Sequence, residues 1–271
     1  MIRLMVIGPA GLPWRDIARR PRGAVICDDG VAASMQAWDA ALAFAIPDDD
    51  GLSFERLLDG RKHVLVPIDI DLPFAQLQAL ADRAKQVNVR FAVVNPDRYL
   101  PSRQLIRHQL DAGKLGEPGL IRIHRWRSAG ALLRDLDLVL WYFGKAPNLV
   151  YAVSHVGGGN TQIHLGFPGG GMALLDHAAG LPVGAGYYSL SLIGSTGAAY
   201  ADDHQNMQLA YQGGLPRAVH ADEGTLPIAV LVQEFVDAIA AGRDAAEDWR
   251  QVFAIRAAIE QSIATRQAVT L

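Results

Sequence analysis

Ile2-Arg3-Leu4-Met5-Val6-Ile7-Gly8-Pro9-Ala10-Gly11-Leu12-Pro13 opens the chain with an apolar run that enters a glycine-containing turn. A buried strand followed at once by a turn with little side chain is how a parallel α/β sheet brings backbone N–H groups to a phosphate at the next helix. Against the G-x-G-x-x-G pattern, Gly8 stands at the first glycine, Ala10 at the second and Pro13 at the third. Pro9 and Pro13 lack the N–H that a phosphate would need. Two readings stay open: a phosphate cradle made by Gly8, Ala10 and Gly11, or a tight strand-to-loop turn without a nucleotide. Asp28 and Asp29 stand after the second strand, where an acid would accept ribose hydroxyls, although aspartates at a strand end also form turns.

Outward from this stretch, short β-rich segments at 3–7, 24–27, 42–46, 63–66 and 90–94 read as strands covered on both faces. Helical patterns lie between them at 32–38, 52–58 and, most clearly, 74–85, where Phe74, Leu77, Leu80, Ala81 and Ala84 recur at helical spacing. That alternation is the βαβ pattern. A turn at Asn95-Pro96 and a boundary helix over 102–112 follow. Beyond residue 120 come strands at 120–126, 149–155, 161–167, 172–177, 188–193 and 207–211, with glycine triplets at 157–159 and 169–171 as hairpin tips. A helix over 132–143 turns Leu132, Leu136, Val139, Leu140 and Phe143 inward, and helices around 228–239 and 249–263 close the chain. The expected fold class is α/β. A truncated Rossmann-type parallel sheet domain over 1–95 precedes an α+β domain over 96–271, which has a large, mainly antiparallel open-faced sheet and C-terminal helices packing back.

Composition narrows the function. In 271 residues, half are hydrophobic, a fifth are charged and the net charge is −3, so the chain can bury a core and lacks a strong electrostatic attraction for nucleic acid, which is not an expected partner. A single cysteine, Cys27, excludes an internal disulfide and a multi-thiolate metal centre. His155, His164 and His177 fall on separate strands without metal-ligand spacing and read as sheet-face histidines. No metal is expected. The first residues hold too short an apolar run for a signal peptide, and no run reaches bilayer length, so the expectation is a cytoplasmic protein without membrane contact.

Several stretches together resemble the Gfo/Idh/MocA oxidoreductases, the family of glucose-fructose oxidoreductase and inositol dehydrogenase. Gly60-Arg61-Lys62-His63-Val64-Leu65-Val66 is similar to the family's "GKHVL" strand. The run Asn95-Pro96-Asp97-Arg98-Tyr99-Leu100-Pro101, continuing to Asp111-Ala112-Gly113-Lys114-Leu115-Gly116-Glu117-Pro118, resembles the domain junction. Asp135-Leu136-Asp137-Leu138-Val139-Leu140-Trp141-Tyr142-Phe143-Gly144 resembles the "DIDLLRWLFG" helix. Ile193-Gly194-Ser195-Thr196-Gly197-Ala198 and the closing Phe235-Val236-Asp237-Ala238-Ile239 complete the series in the family's order. The resemblance implies NAD or NADP as cofactor, a small polyol, sugar-like or carbonyl substrate, and assembly through the open sheet face.

The departures fall on the chemistry. Where the family's strand runs into E-K-P, whose lysine helps move a proton as hydride leaves, this chain has Val66-Pro67-Ile68-Asp69. Isoleucine neither titrates nor donates a hydrogen bond. At the family's D-x-x-x-H, Gly130 takes the aspartate position and Arg134 the histidine position. Arginine stays protonated and is no ordinary base. The "A-T-P-N-x-x-H" turn becomes Ala45-Ile46-Pro47-Asp48-Asp49-Asp50-Gly51, keeping Pro47; its aspartates read as a cap on the 52–58 helix. The stretch between Asp29 and Leu42 is also short for the adenosine side of a cofactor pocket. Whether a cofactor still binds stays open.

The polar residues left for a site are Asp69, Arg134, Asp135 and Asp137 as substitute acid, base or clamp, and Arg98, Tyr99, Arg125 and Trp126 as ligand contacts. Loss of lysine, histidine and aspartate together points to a non-catalytic subunit or ligand-binding protein, self-associating or paired with an active family member. The alternative is an active NAD(P)-dependent oxidoreductase using those substitutes. A cofactor-free isomerase or lyase has no motif in its favour.

Overall fold

The computed structural model describes residues 1–8, 19–27, 37–47, 52–126, 131–155, 157, 159–178, 187–202, 207–211, 217–219, 226–246 and 248–271; within these, side chains are described except at 202, 207–211, 217–219, 226 and 227. In chain order the first elements are β1 (Ile2–Ile7), β2 (Ala24–Ile26), β3 (Ala40–Ala43), α1 (Phe54–Asp59), β4 (His63–Pro67), α2 (Phe74–Gln86) and β5 (Phe91–Val94), then a 3-10 turn at Pro96–Tyr99. Next come α3 (Pro101–Asp111), β6 (Pro118–Trp126), α4 (Leu132–Phe143), β7 (Leu149–Ser154), β8 (Asn160–Gly166), β9 (Met172–Ala178), β10 (Tyr187–Gly194), β11 (Ala198–Asp202), β12 (Met207–Tyr211) and β13 (Arg217–Val219). The chain ends with α5 (Leu226–Ala240), α6 (Trp249–Thr265) and β14 (Val269–Thr270). It divides into two compact units, Met1–Tyr99 with Gly224–Trp249, and Leu100–Glu223 with Arg250–Leu271. The division follows Tyr99 rather than Asn95, and α5 joins the first unit while most of α6 joins the second.

In the first unit all five strands are parallel, in the order β2-β1-β3-β4-β5. Their β-rich runs suit a sheet with helices on its faces, and β3 is buried along its whole length. Leu231, Val232, Phe235 and Val236 of α5 recur at helical spacing and pack on Leu4, Leu42, Leu65 and Ala92. Helix α2 buries Leu77, Leu80, Ala81 and Ala84. Phe74 is exposed instead of inward, its ring meeting Trp249 edge-on at 6.0 Å. The α1 cap is Ser53, whose Oγ accepts from Arg56 N at 3.2 Å. The expected aspartate cap, Asp48 to Asp50, lies outside the described residues.

The second unit carries a nine-stranded sheet in the order β13-β12-β11-β10-β6-β9-β8-β7-β14. Its pairs are antiparallel except β6 with β9. Strands β8 and β9 form the expected hairpin at Gly169-Gly170-Gly171: Phe167 N donates to Gly171 O at 2.8 Å, and φ of +89° and +93° at Gly169 and Gly170 explains the glycines. Helix α4 is buried nearly all round, Asp135 and Asp137 included, while Leu132 is only half-buried. The reason is that α4 has packing partners beyond the sheet: Tyr142 Oη donates to Arg103 O at 3.1 Å, and Arg107 Nη1 to Trp141 O at 2.6 Å, both on α3 and α4. Strands β11, β13 and β14 lie where the sequence pattern predicts none. No helix among the described residues is long and apolar enough to cross a membrane.

Candidate functional site

Strand alternation divides the run His124-Arg125-Trp126-Arg127. Arg125 is in phase with the buried Ile121 and Ile123 and points to the helix-covered face, whereas His124 and Trp126 point to the open face. Arg125 and Trp126, expected to line one cleft together, are therefore separated by the sheet. Arg127 lies outside the described residues.

On the covered face, register builds a row across three strands. Tyr188 of β10 pairs with Arg125 of β6, which pairs with His177 of β9. Asp135, in the first turn of α4, meets this row and has no solvent exposure. The Arg125 fork donates to its carboxylate through Nε at 2.8 Å and Nη2 at 2.6 Å. His177 Nε2 lies 3.0 Å from Asp135 Oδ2, a close polar contact without good hydrogen-bond alignment. Burial alone would raise the Asp135 pKa; the contacts with His177 and Arg125 outweigh it and hold the carboxyl below its ordinary value.

Tyr188 extends the cluster. Its ring lies between two guanidinium groups, Arg103 at 4.1 Å and Arg125 at 4.3 Å from the centroid. Only 4% exposed, its hydroxyl meets no hydrogen-bond partner among the described residues, and burial holds its pKa well above the ordinary value. Arg103 Nη1 bonds Ser102 Oγ within the same buried layer. Sequence reading found Arg125 and Asp135 but missed His177, Tyr188 and Arg103. The signal for His177 was available: it stands two and four places after the inward Leu175 and Ala173.

The other candidates fall elsewhere. Arg134 is half-buried and Asp137 buried on α4. Arg98 Nη2 forms an ion pair with Asp248 at 3.0 Å, and Tyr99 Oη donates to Glu234 at 2.7 Å, so both tie the 3-10 turn to the C-terminal part of the first unit. Burial, and then Glu234, raise the Tyr99 pKa. Ile68, at the lysine position after β4, is 1% exposed and donates its N–H to Val94 O at 2.8 Å. Ile70 and Leu72 are buried beside it in sequence, and Asp69 between them is half-buried. Lys62 lies at the amino end of β4, bonded to Trp38 O at 2.7 Å. Gly8 and the half-buried Pro47 are described; among the described residues a Cβ at Gly8 would meet Phe44 Cβ at an ordinary 3.4 Å. Ala10, Gly11, Asp28 and Gly130 lie outside the described residues.

On the open face, Trp126 and Tyr187 rings stand 4.7 Å apart, with His124 5.5 Å from Trp126 and its Nδ1 3.6 Å from Asp176. Among the described residues no group of His, Cys, Asp or Glu side chains could hold a metal ion.

A unit built on a five-stranded parallel sheet joined to a unit built on a broad, mainly antiparallel sheet is a two-domain architecture. Solved structures agree. The chain is similar to an oxidoreductase from Agrobacterium radiobacter in complex with NAD+, L-tartaric acid and magnesium: 14% identity, TM-score 0.78, 99% of this chain and 98% of that one covered. It is similar to aldose-aldose oxidoreductase from Caulobacter crescentus complexed with glycerol, at 14% identity and TM-score 0.81, covering 100% and 99%. The myo-inositol 2-dehydrogenase from Lactobacillus plantarum gives 16% identity and TM-score 0.76, covering 100% and 99%. No family sequence profile matches the chain, and neither does any curated protein. The fold is that of the Gfo/Idh/MocA-type oxidoreductases.

Proposed function

We propose that this chain is an oxidoreductase-fold protein that binds a ligand without carrying out the usual hydride transfer. The observation that carries the reading is Ile68: at the place of the proton-handling lysine stands a buried aliphatic side chain. The acid/base position is Arg134, and the carboxyl of the next residue, Asp135, is held below its ordinary pKa by His177 and Arg125, which disfavours it as a proton donor. Nicotinamide is the cofactor class to test, since one similar structure holds NAD+. Titration of the purified protein with NADH and NADPH, followed by heat, and turnover of polyols and aldoses with either oxidised cofactor test the reading. Steady turnover would overturn it; cofactor binding without turnover supports a binding role.

The protein would act as a homo-oligomer, or beside an active relative, in the cytoplasm. Support for assembly comes from the open sheet face, where Leu149, Tyr151, Val153, Met172 and Ile193 are exposed large apolar side chains. Sedimentation of the wild type and of a Met172→Lys/Ile193→Lys variant tests self-association.

One observation favours the alternative of an active oxidoreductase. His177 Nε2 lies 3.0 Å from the buried Asp135 carboxylate, and a histidine beside a carboxylate is a pairing used for general acid/base work. In that case His177→Ala would abolish a cofactor-dependent activity that the wild type displays.

A further inference from the structure

A pocket lies wholly within the first unit, at the amino ends of β4 and β5, and is bordered by the last turn of α2 and the segment after α5. Open α/β sheets take nucleotides at the carboxyl ends of their strands, the end where Gly8 and Ile68 stand. This pocket is at the other end. Its volume is about 320 Å3, within the ~300–1,000 Å3 of small-molecule sites.

Its polar lining is cationic. Arg90 Nη1 donates to Arg243 O at 2.6 Å, while its buried Nε–H meets no hydrogen-bond partner among the described residues. The Arg90 N–H donates to His63 Nδ1 at 2.9 Å, which puts the proton of neutral His63 on Nε2, a second donor. Burial, then the adjacent Arg243 charge, lower the Arg90 pKa, with Asp244 opposing. Lys85 adds a further positive charge to the lining, so Asp244 is outnumbered. Ala81, Ile239 and Trp249 supply an apolar wall. Gathered guanidinium groups with an unanswered buried donor gain most from an anion, because planar N–H forks match carboxylate and phosphate oxygens.

We propose that this pocket binds a small organic oxyanion, its carboxylate or phosphate head between Arg90 and Arg243 and its compact apolar body against Trp249. Calorimetric titration of the full chain with benzoate and with phenyl phosphate distinguishes the two heads, and inorganic phosphate reports the head without a body. One of the two aromatic probes should bind at one site per chain, more tightly than inorganic phosphate. Arg90→Gln should weaken it by about tenfold to a hundredfold, the worth of a charged hydrogen bond. Because Arg90→Gln also loses the bond to Arg243 O, Arg243→Gln is the second variant: it keeps that carbonyl, and should weaken binding in the same direction with an unchanged melting temperature. The absence of heat with both aromatic probes up to about 10 mM overturns the proposal. So does binding that Arg243→Gln leaves unchanged.

Discussion

Replacing Arg125 with methionine strips Asp135 of its strongest partner while leaving the carboxylate at zero exposure. Two charge-assisted hydrogen bonds, at 2.8 and 2.6 Å, are lost, and with them the guanidinium stacked on Tyr188. Removing one partner of a buried ion pair costs about 3–5 kcal/mol, since the survivor has no water to return to. That is a large part of the ~5–15 kcal/mol that holds a domain folded. A double variant, Arg125→Met with Asp135→Leu, leaves no stranded charge and should recover most of the loss. The pH dependence has a definite sign. Asp135 has a depressed folded pKa, so its contribution is full above the unfolded carboxyl pKa and is lost as pH falls through the folded value. In the single variant Asp135 protonates more readily, so the gap to wild type should narrow as the solution is acidified. Urea unfolding of the four proteins of this cycle, followed by circular dichroism and tryptophan fluorescence, measures each term. A single-variant cost below about 1 kcal/mol, or a double variant no more stable than the single, refutes the assignment of a desolvated ion pair.

Ile68→Lys should not restore dehydrogenase activity; an ammonium forced into that apolar position should cost about 2–5 kcal/mol, read from thermal unfolding beside an NAD-reduction assay. Gly194→Ala would set a Cβ 2.0 Å from Leu115 O, a backbone atom with little room to move, and should cost about 3 kcal/mol in the same unfolding measurement. Asp39, whose pKa is lowered to about 2 first by its hydrogen bond from Arg3, contributes stability above the ordinary 3.8 that fades as pH falls toward 2. Asp39→Asn should therefore flatten the acid limb of the stability curve between those values, in an acid titration followed by circular dichroism.

Most of the parallel sheet was legible, because buried strands announce themselves as apolar runs and α5 by its spacing of Leu231, Val232, Phe235 and Val236. Strand β11 was not: Ala198-Ala199-Tyr200-Ala201 carries little of the bulk by which strands are recognised, and its place is fixed by pairing with β10. The candidate site was half legible. A helix motif marked Asp135, but its partners come from strands whose adjacency depends on register, which no local pattern encodes. Arg125 and Trp126 misled because neighbours in sequence are opposites across a pleated sheet. The cap seen on α1 is Ser53, while the expected aspartates, Asp48 to Asp50, lie outside the described residues.

The discontinuous first unit also sets an order of events during synthesis. Leu4, Leu42, Leu65 and Ala92 leave the ribosome early, yet the helix that covers them, α5, emerges only after strands β6 to β13 of the nine-stranded sheet have been made. The parallel sheet therefore waits with an apolar face uncovered while the second unit is being translated. Its final packing is a late, long-range step of the slow kind that high contact order imposes, and the nascent chain is most open to aggregation during that interval.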